Sequence, residues 1–284
     1  MTNPVVIYHS SDLDGKCAGA IAFHYFDGEV ELIGMDYGDP ISWDKLEGRK
    51  VVVVDFSLQP FAEMIKLQSV AKKLTWLDHH KSALADAVAF KFKCPGYKPD
   101  NNDWAGCELA WRYFNKSEVM PIAVHWLGRY DIWKHEDRED ILTFQTGMKS
   151  YKCAPTADVW PMVFKSEPQF LTDTCNRGKI IQASMNNSNT DLANKLCFPT
   201  TLDGLRLLAV NRGPTGSQFF KALWDEAKYD AMCSFYLRPD GQWSISLYST
   251  KETVDCSAVC KARQGGGHRG AAGFQAKELP FKVG

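Results

Sequence analysis

The chain is 284 residues long, about twice the ~150 residues that serve as a guide for one domain, so two domains are expected. Hydrophobic residues at 45% and charged residues at 24% exclude a collagenous, disordered or low-complexity chain. Lys+Arg 33 against Asp+Glu 34 leaves a net charge of -1, which excludes a global positive field for long duplex DNA or anionic lipid. A nucleic-acid ligand would therefore be short or held at a local site.

Taken in chain order, Val5–Tyr8 reads as a strand and Gly15–Phe26 as the helix that follows it. Val30–Met35 and Val51–Val54 are further strands, the all-valine one being of the kind covered on both faces in parallel sheets. Pro60–Ala71 reads as a helix with Pro at its start, Lys73–Leu77 as a strand, and the chain from Gly106 through Trp111 and from Pro121 to Tyr130 as helical. The charged run HEDRED, 135–140, reads as a solvated face. Residues 166–196 are helical and polar; strands return at Leu205–Val210, Ala231–Leu237 and Trp243–Tyr248, with a helix Ser217–Ala227 between the first two.

These alternations predict an α/β protein with a first domain over 1–150 built on a parallel sheet, a linker and helical connection over 151–198, and a smaller α/β domain over 199–284. The amino terminus lacks a basic segment before an apolar run, and no stretch approaches the ~18 apolar residues of a membrane span, so a cytoplasmic protein is expected. Nine cysteines without a CxxC pair suit buried thiols in a reducing compartment. Cys256 and Cys260 share a helical face and read as core packing rather than as a zinc site.

Acidic residues gather where the strands end. The first strand runs into His9, Asp12, Asp14 and Gly15, the valine strand into Asp55, and the next into Asp78-His79-His80, while Asp131 closes Gly128-Arg-Tyr-Asp131. In an open parallel sheet the ligand crevice lies at the carboxyl ends of the strands, so these groups should converge. Carboxylates and imidazoles gathered without basic partners repel, and divalent cations resolve the conflict. Oxygen and imidazole donors without thiolate suit manganese, magnesium, iron or zinc, and the number of donors suits two ions. Each piece alone has a plainer origin. Asp12-Leu-Asp14-Gly15 could open a calcium loop, although loop position twelve is Phe23 rather than Glu, or a phosphatase nucleophile loop, although Lys16 follows the glycine. Asp55 alone reads as a cap or turn residue, and adjacent histidines are commonly structural.

Near the carboxyl end, Gln264-Gly265-Gly266-Gly267-His268-Arg269 lets backbone approach an anion closely, with His268 and Arg269 as phosphate contacts; a glycine turn before an alanine-rich helix is the competing reading.

Together, His9, Asp12-Leu-Asp14-Gly15, Asp55, Asp78-His79-His80, Asp131 and Gly265-Gly-Gly-His268-x-x-Ala-Ala-Gly273 resemble the DHH phosphoesterase superfamily with its DHHA1 carboxyl-terminal domain. The motifs run from residue 9 to residue 273 in the family's order, and the size and layout are nearest those of the nanoRNases, which degrade very short RNA. The resemblance implies a cleft between the two domains. It also implies two divalent ions, manganese foremost: His9 and Asp12 would hold one, Asp14, His79 and Asp131 the other, and Asp55 would bridge them. Asp78 would support the neighbouring imidazole, His80 would face the substrate phosphate, and Gly265, Gly266, Gly267, His268 and Arg269 would bind the nucleotide. The chain departs from the family pattern in the His9-to-Asp12 spacing and in Ser246-Leu-Tyr248-Ser249, where relatives carry Arg at the position of Tyr248. Tyr248 could then stack on a base, Arg263 or Arg269 could replace the missing cation, and Asn211 could face the ligand or cap a turn.

The implied activity is a metal-dependent phosphodiesterase that hydrolyses short oligonucleotides to mononucleotides through hydroxide activated by two metals. A phosphatase for 3'-phosphoadenosine 5'-phosphate and a cyclic or linear dinucleotide phosphodiesterase are the alternatives within the superfamily. An inactive nucleotide-binding module is the alternative outside catalysis, and no long duplex or membrane partner is expected.

Overall fold

The computed structural model describes residues 3–96, 103–116, 118–135 and 138–282; Glu136 and Asp137 of the charged run lie outside them. The chain forms two compact units, Met1–Ile181 and Gln182–Gly284.

The first unit is built on four parallel strands, β1 (Val5–His9), β2 (Glu31–Met35), β3 (Lys50–Val54) and β4 (Lys73–Leu77), in the order β2-β1-β3-β4. The valine run behaves as its composition predicts. Val52 and Val54 enter one core and Val51 and Val53 the other, because successive side chains of a strand point to opposite faces. One face is covered by α1 (Leu13–Tyr25), α4 (Gly106–Phe114), α5 (Ile122–Asp131), α6 (Glu139–Met148) and α7 (Val159–Lys165), through Ile21, Leu109, Leu127, Phe144 and Trp160. The other is covered by α2 (Ala62–Val70) and α3 (Lys81–Ala89), through Met64, Leu67, Ala83 and Ala87. The segment expected to be a connection thus contributes Val159, Trp160 and Val163 to the first core before the 29-residue α8 (Pro168–Leu196) begins. The strand order reverses between β1 and β3. Their carboxyl ends, with that of β4, define the crevice at which α/β sheets bind ligands.

The second unit is a six-stranded sheet of β5 (Phe198–Leu202), β6 (Leu205–Asn211), β7 (Ala231–Leu237), β8 (Trp243–Tyr248), β9 (Gly266–Gly267) and β10 (Ala271–Ala276), ordered β5-β6-β7-β8-β10-β9, with α9 (Cys256–Lys261) on one face. Cys256 and Cys260 are buried in that core beside Cys233, as the packing reading expects. All nine cysteines are free thiols. One expectation is corrected, and one competing reading falls. The helix expected over Ser217–Ala227 is only a short 3-10 turn, Ser217–Phe220; Asp225 accepts the amide N–H of Ala227 at 2.9 Å, a local bond that competes with helix continuation. The alanine-rich stretch after the glycines is strand β10, pairing Ala272 with Leu247 and Phe274 with Ile245. Helix propensity yields there to cross-strand pairing. No helix among the described residues is long and apolar enough to cross a membrane.

The second unit has an electrostatic strut. Asp230 receives Arg206 Nε at 3.0 Å and Nη2 at 2.9 Å, and Lys251 Nζ at 2.9 Å. Arg206 first, then Lys251, hold its carboxyl far below the ordinary carboxylate range. A lowered folded-state pKa contributes stability that is present above the ordinary value of 3.8 and is lost as pH falls below it. Asp230→Asn should therefore destabilise the second unit at neutral pH, by no more than about 1 kcal/mol because solvent screens ion pairs this exposed, and its melting temperature should fall less steeply than that of the wild type between pH 4 and pH 2. Equal slopes for the two proteins in thermal melts across that range would refute the strut.

Candidate metal centre

Each candidate ligand of the first unit is placed by a strand end or a helix end. His9 is the last residue of β1 and is 9% exposed. Asp12 caps α1: its Oδ1 accepts the Gly15 N–H at 2.9 Å, while its Oδ2 lies 2.9 Å from His9 Nδ1. Gly15 is required in the motif because a Cβ there would fall on the His9 carbonyl. Asp14, in the first turn of α1, is buried, and both its oxygens accept N–H groups from the start of α4: Gly106 at 2.7 Å and Cys107 at 2.8 Å. Helix amides and dipole thus hold a carboxylate in the interior.

Asp55 follows β3 in the left-handed region, at φ +53°, which Asp tolerates better than most residues. It stands between the two groups of donors, with Oδ1 3.0 Å from His79 Nε2 and Oδ2 3.8 Å from His9 Nδ1. His79 Nε2 also lies 3.5 Å from Asp14 Oδ2 and 3.3 Å from Asp131 Oδ2, at the end of α5. Three carboxylates thus face one ring nitrogen, which can donate a single proton. Among the described residues, the donor atoms of His9, Asp12 and Asp55, and those of Asp14, His79 and Asp131, lie within 4.8 Å of one another in each set.

Electrostatics tell the same story. Burial, then the Asp14 carboxylate, push the Asp55 carboxyl well above its ordinary value. Burial alone would lower the His79 imidazole, yet Asp14, Asp55 and Asp131 raise it well above its ordinary value. His9 is raised in the same way, with burial opposed by Asp12, Asp36 and Asp55. Strained protonation of this kind marks a site that lacks cations of its own among the side chains. The donors fit divalent metal: oxygen and imidazole only, and separations near the ~3 Å between adjacent ligands of an octahedral ion with bonds of about 2.1 Å.

Asp78 and His80 complete the strand end. Asp78 Oδ1 lies 2.7 Å from His80 Nδ1 and accepts the backbone N–H groups of His79 at 2.8 Å and His80 at 3.2 Å. The imidazole that Asp78 supports is thus that of His80; the ring of His79 is turned to the three carboxylates instead. Asp55, Asp78 and His80 form a further close set.

Several contributors escape the motif reading. Asp36, directly after β2, lies 3.5 Å from His9 Nε2, and its carboxyl is lowered to about 2 by that imidazole. The strand-end rule reaches it as soon as β2 is placed. Tyr37 and Phe56 pack against the His9 ring, with centroids at 5.7 and 5.8 Å. Glu108, fully buried in α4, has no signal of its own in the sequence.

The candidates of the second unit lie on one hairpin and its neighbours. His268 ends the short arm of the β9–β10 hairpin, exchanging backbone bonds with Ala271, and Arg269 is exposed at its tip. Gly265 and Gly267 are required by packing: a Cβ on Gly265 would fall on Gly273 and Phe274, and one on Gly267 on Ala271 and Ala272. Gly266 pairs with Gly273 in the same hairpin. Arg263 is tied to Asp203 at 2.7 Å, and the Tyr248 hydroxyl donates to the Thr215 carbonyl at 3.1 Å, so both carry structural bonds. Asn211 is exposed at the end of β6.

No protein-family model and no curated protein matches the chain. Solved structures do. The chain is similar to a structure described as the DHH domain of a member of the s1p family of ribosomal proteins, with TM-score 0.60 and 13% identity over 97% of this chain and 83% of that one. It is similar to RecJ from Thermus thermophilus in complex with Mn2+, with TM-score 0.51 and 13% identity over 97% of this chain and 50% of that one. It is also similar to a pGpG-specific phosphodiesterase from Vibrio cholerae, with TM-score 0.50 and 10% identity over 96% of this chain and 93% of that one. At these identities the likeness establishes the fold alone: a parallel-sheet domain followed by a smaller α/β domain, as in these structures.

Proposed function

We propose that this protein is a DHH-type, metal-dependent phosphoesterase that hydrolyses short oligonucleotides to mononucleotides. The observation that carries the reading is the convergence of Asp14, Asp55 and Asp131 on His79 Nε2, with the second Asp55 oxygen turned to His9. His9, Asp12 and Asp55 would hold one divalent ion and Asp14, His79, Asp131 and Asp55 the other, manganese being the first choice. Bound there, the pair would supply the Lewis acidity that activates an attacking water and draws charge from the phosphoryl oxygens.

The chain's own residues do the rest. Asp14 is immobilised by two amide N–H groups, so it presents its oxygens without rearrangement. Asp78 fixes the His80 ring through Nδ1, so Nε2 is the atom that can serve a phosphate oxygen. His268 and Arg269 would bind the adjacent phosphate of the substrate, and the glycines allow the hairpin's close backbone approach. A cytoplasmic setting belongs to the same proposal, supported by nine cysteines without a CxxC pair, and two bound ions would bring the formal charge to about +3, which suits a small polyanion.

The deciding experiment is a manganese-dependent panel of di- to pentanucleotides, 3'-phosphoadenosine 5'-phosphate, cyclic dinucleotides and pyrophosphate. Release of mononucleotides from the linear oligonucleotides at more than about tenfold the rate on any other member is expected. Cleavage of pyrophosphate alone, or no turnover of any member, rejects the proposal.

A further inference from the structure

Glu108 is fully buried on α4 yet belongs to none of the ligand sets. Its Oε2 accepts the Ala105 N–H at 2.9 Å, at the start of the same helix, and the Arg129 guanidinium pairs with that oxygen. Its Oε1 lies 2.8 Å from His125 Nδ1. His125 and Arg129 both belong to α5, whose last residue is Asp131, and Arg129 also donates to the Asp103 carbonyl at 2.6 Å. One carboxylate therefore ties the first turn of α4 to two turns of α5.

Two glycines let these layers press together. A Cβ on Gly106 would fall on the Asp55 carboxylate, and a Cβ on Gly128 would fall on the Glu108 carboxylate. Asp55, the start of α4, Glu108 and α5 are thus stacked at glycine distance, with the Gly106 and Cys107 amides gripping Asp14 on the way.

We propose that Glu108, clamped by Arg129 and His125, is a positioning residue that sets the spacing between Asp14 and Asp131 around His79. The role rests on the metal-centre reading above. It acts through backbone placement: the tie at Ala105 fixes the two amides that hold Asp14, and the tie at Arg129 fixes the helix end that carries Asp131. A carboxylate is needed because a single group must accept from a backbone N–H, an imidazole and a guanidinium together.

The test is calorimetric titration of Mn2+ into the full-length wild type, Glu108→Gln, and the double variant Glu108→Gln/Arg129→Met, with metal-free thermal melts of each. Glu108→Gln should weaken Mn2+ binding at one of two sites by about 10- to 100-fold. The double variant removes both partners of the buried pair, so its metal-free melting temperature should recover towards the wild-type value while Mn2+ binding stays weak. Recovery of both properties in the double variant, or an unchanged isotherm for Glu108→Gln, overturns the role. Should Glu108→Gln fail to fold, Arg129→Lys, which keeps the charge but not the fork, serves in its place with the same expected weakening and the same overturning result. A wild type that binds no Mn2+ overturns the metal centre itself and this role with it; intact two-site binding with no change in Glu108→Gln overturns the role alone.

Discussion

Asp55→Asn is expected to lower manganese-dependent hydrolysis by at least about three orders of magnitude while leaving the metal-free protein as stable as the wild type or more so. The two effects have one cause. Asp55 has an oxygen on each side of the site, towards His79 and towards His9, and an amide offers only one oxygen with no charge. A loss of several kcal/mol in charge stabilisation corresponds to about three or more decades of rate. Without cations, however, the Asp55 carboxylate is a burden: burial and the neighbouring Asp14 raise its pKa well above 3.8. A carboxyl with a raised folded-state pKa contributes stability that is present below its ordinary value and is lost as pH rises towards the folded one. The metal-free variant should therefore melt progressively above the wild type as pH increases from about 4, and manganese should raise the melting temperature of the wild type far more than that of the variant. A variant that retains activity, or that melts below the wild type across this range, would contradict the assignment of Asp55.

The second large effect is expected at a residue with no functional group. Gly106→Ala should reduce turnover about 100-fold and destabilise the fold by about 1–3 kcal/mol. The added methyl would meet the Asp55 carboxylate, and α4 cannot retreat without pulling the Gly106 and Cys107 amides away from Asp14. Helix propensity alone points the other way, since Ala in a helix is favoured over Gly by about 1 kcal/mol. A stabilised, fully active Gly106→Ala would show that α4 is not pressed on the site.

Much of the first unit was legible because strand and ligand patterns are local. The valine run, covered on both faces, and the acidic residues directly after β1, β3 and β4 follow from a period-two pattern and the strand-end rule. Two helix readings gave way, one to cross-strand pairing and one to a local turn. The alanine-rich stretch after the glycines, a helix in the competing reading, is strand β10, because it lies against β8. Ser217–Ala227 lost its helix to a local aspartate turn. Arg263 and Tyr248, attractive as phosphate and base contacts from their places beside the glycine motif, are each bonded to a partner far along the chain: Asp203 and Thr215.

By itself, the sequence determined which residue types end each strand of the first sheet, and so the donor chemistry available there: aspartate oxygens and histidine nitrogens, without thiolate. Only the tertiary structure decided how those donors divide. Strand order sets the end of β3 between those of β1 and β4, so that His9 and His79 flank the two oxygens of one buried aspartate. It also turned Asp78 towards His80 and brought α4 against Asp14, contacts that depend on backbone direction and on close approach at glycine. Residue identity is carried locally, but the angle at which a side chain leaves a strand end and the distance to groups about 90 residues away are set by packing, which no local pattern encodes.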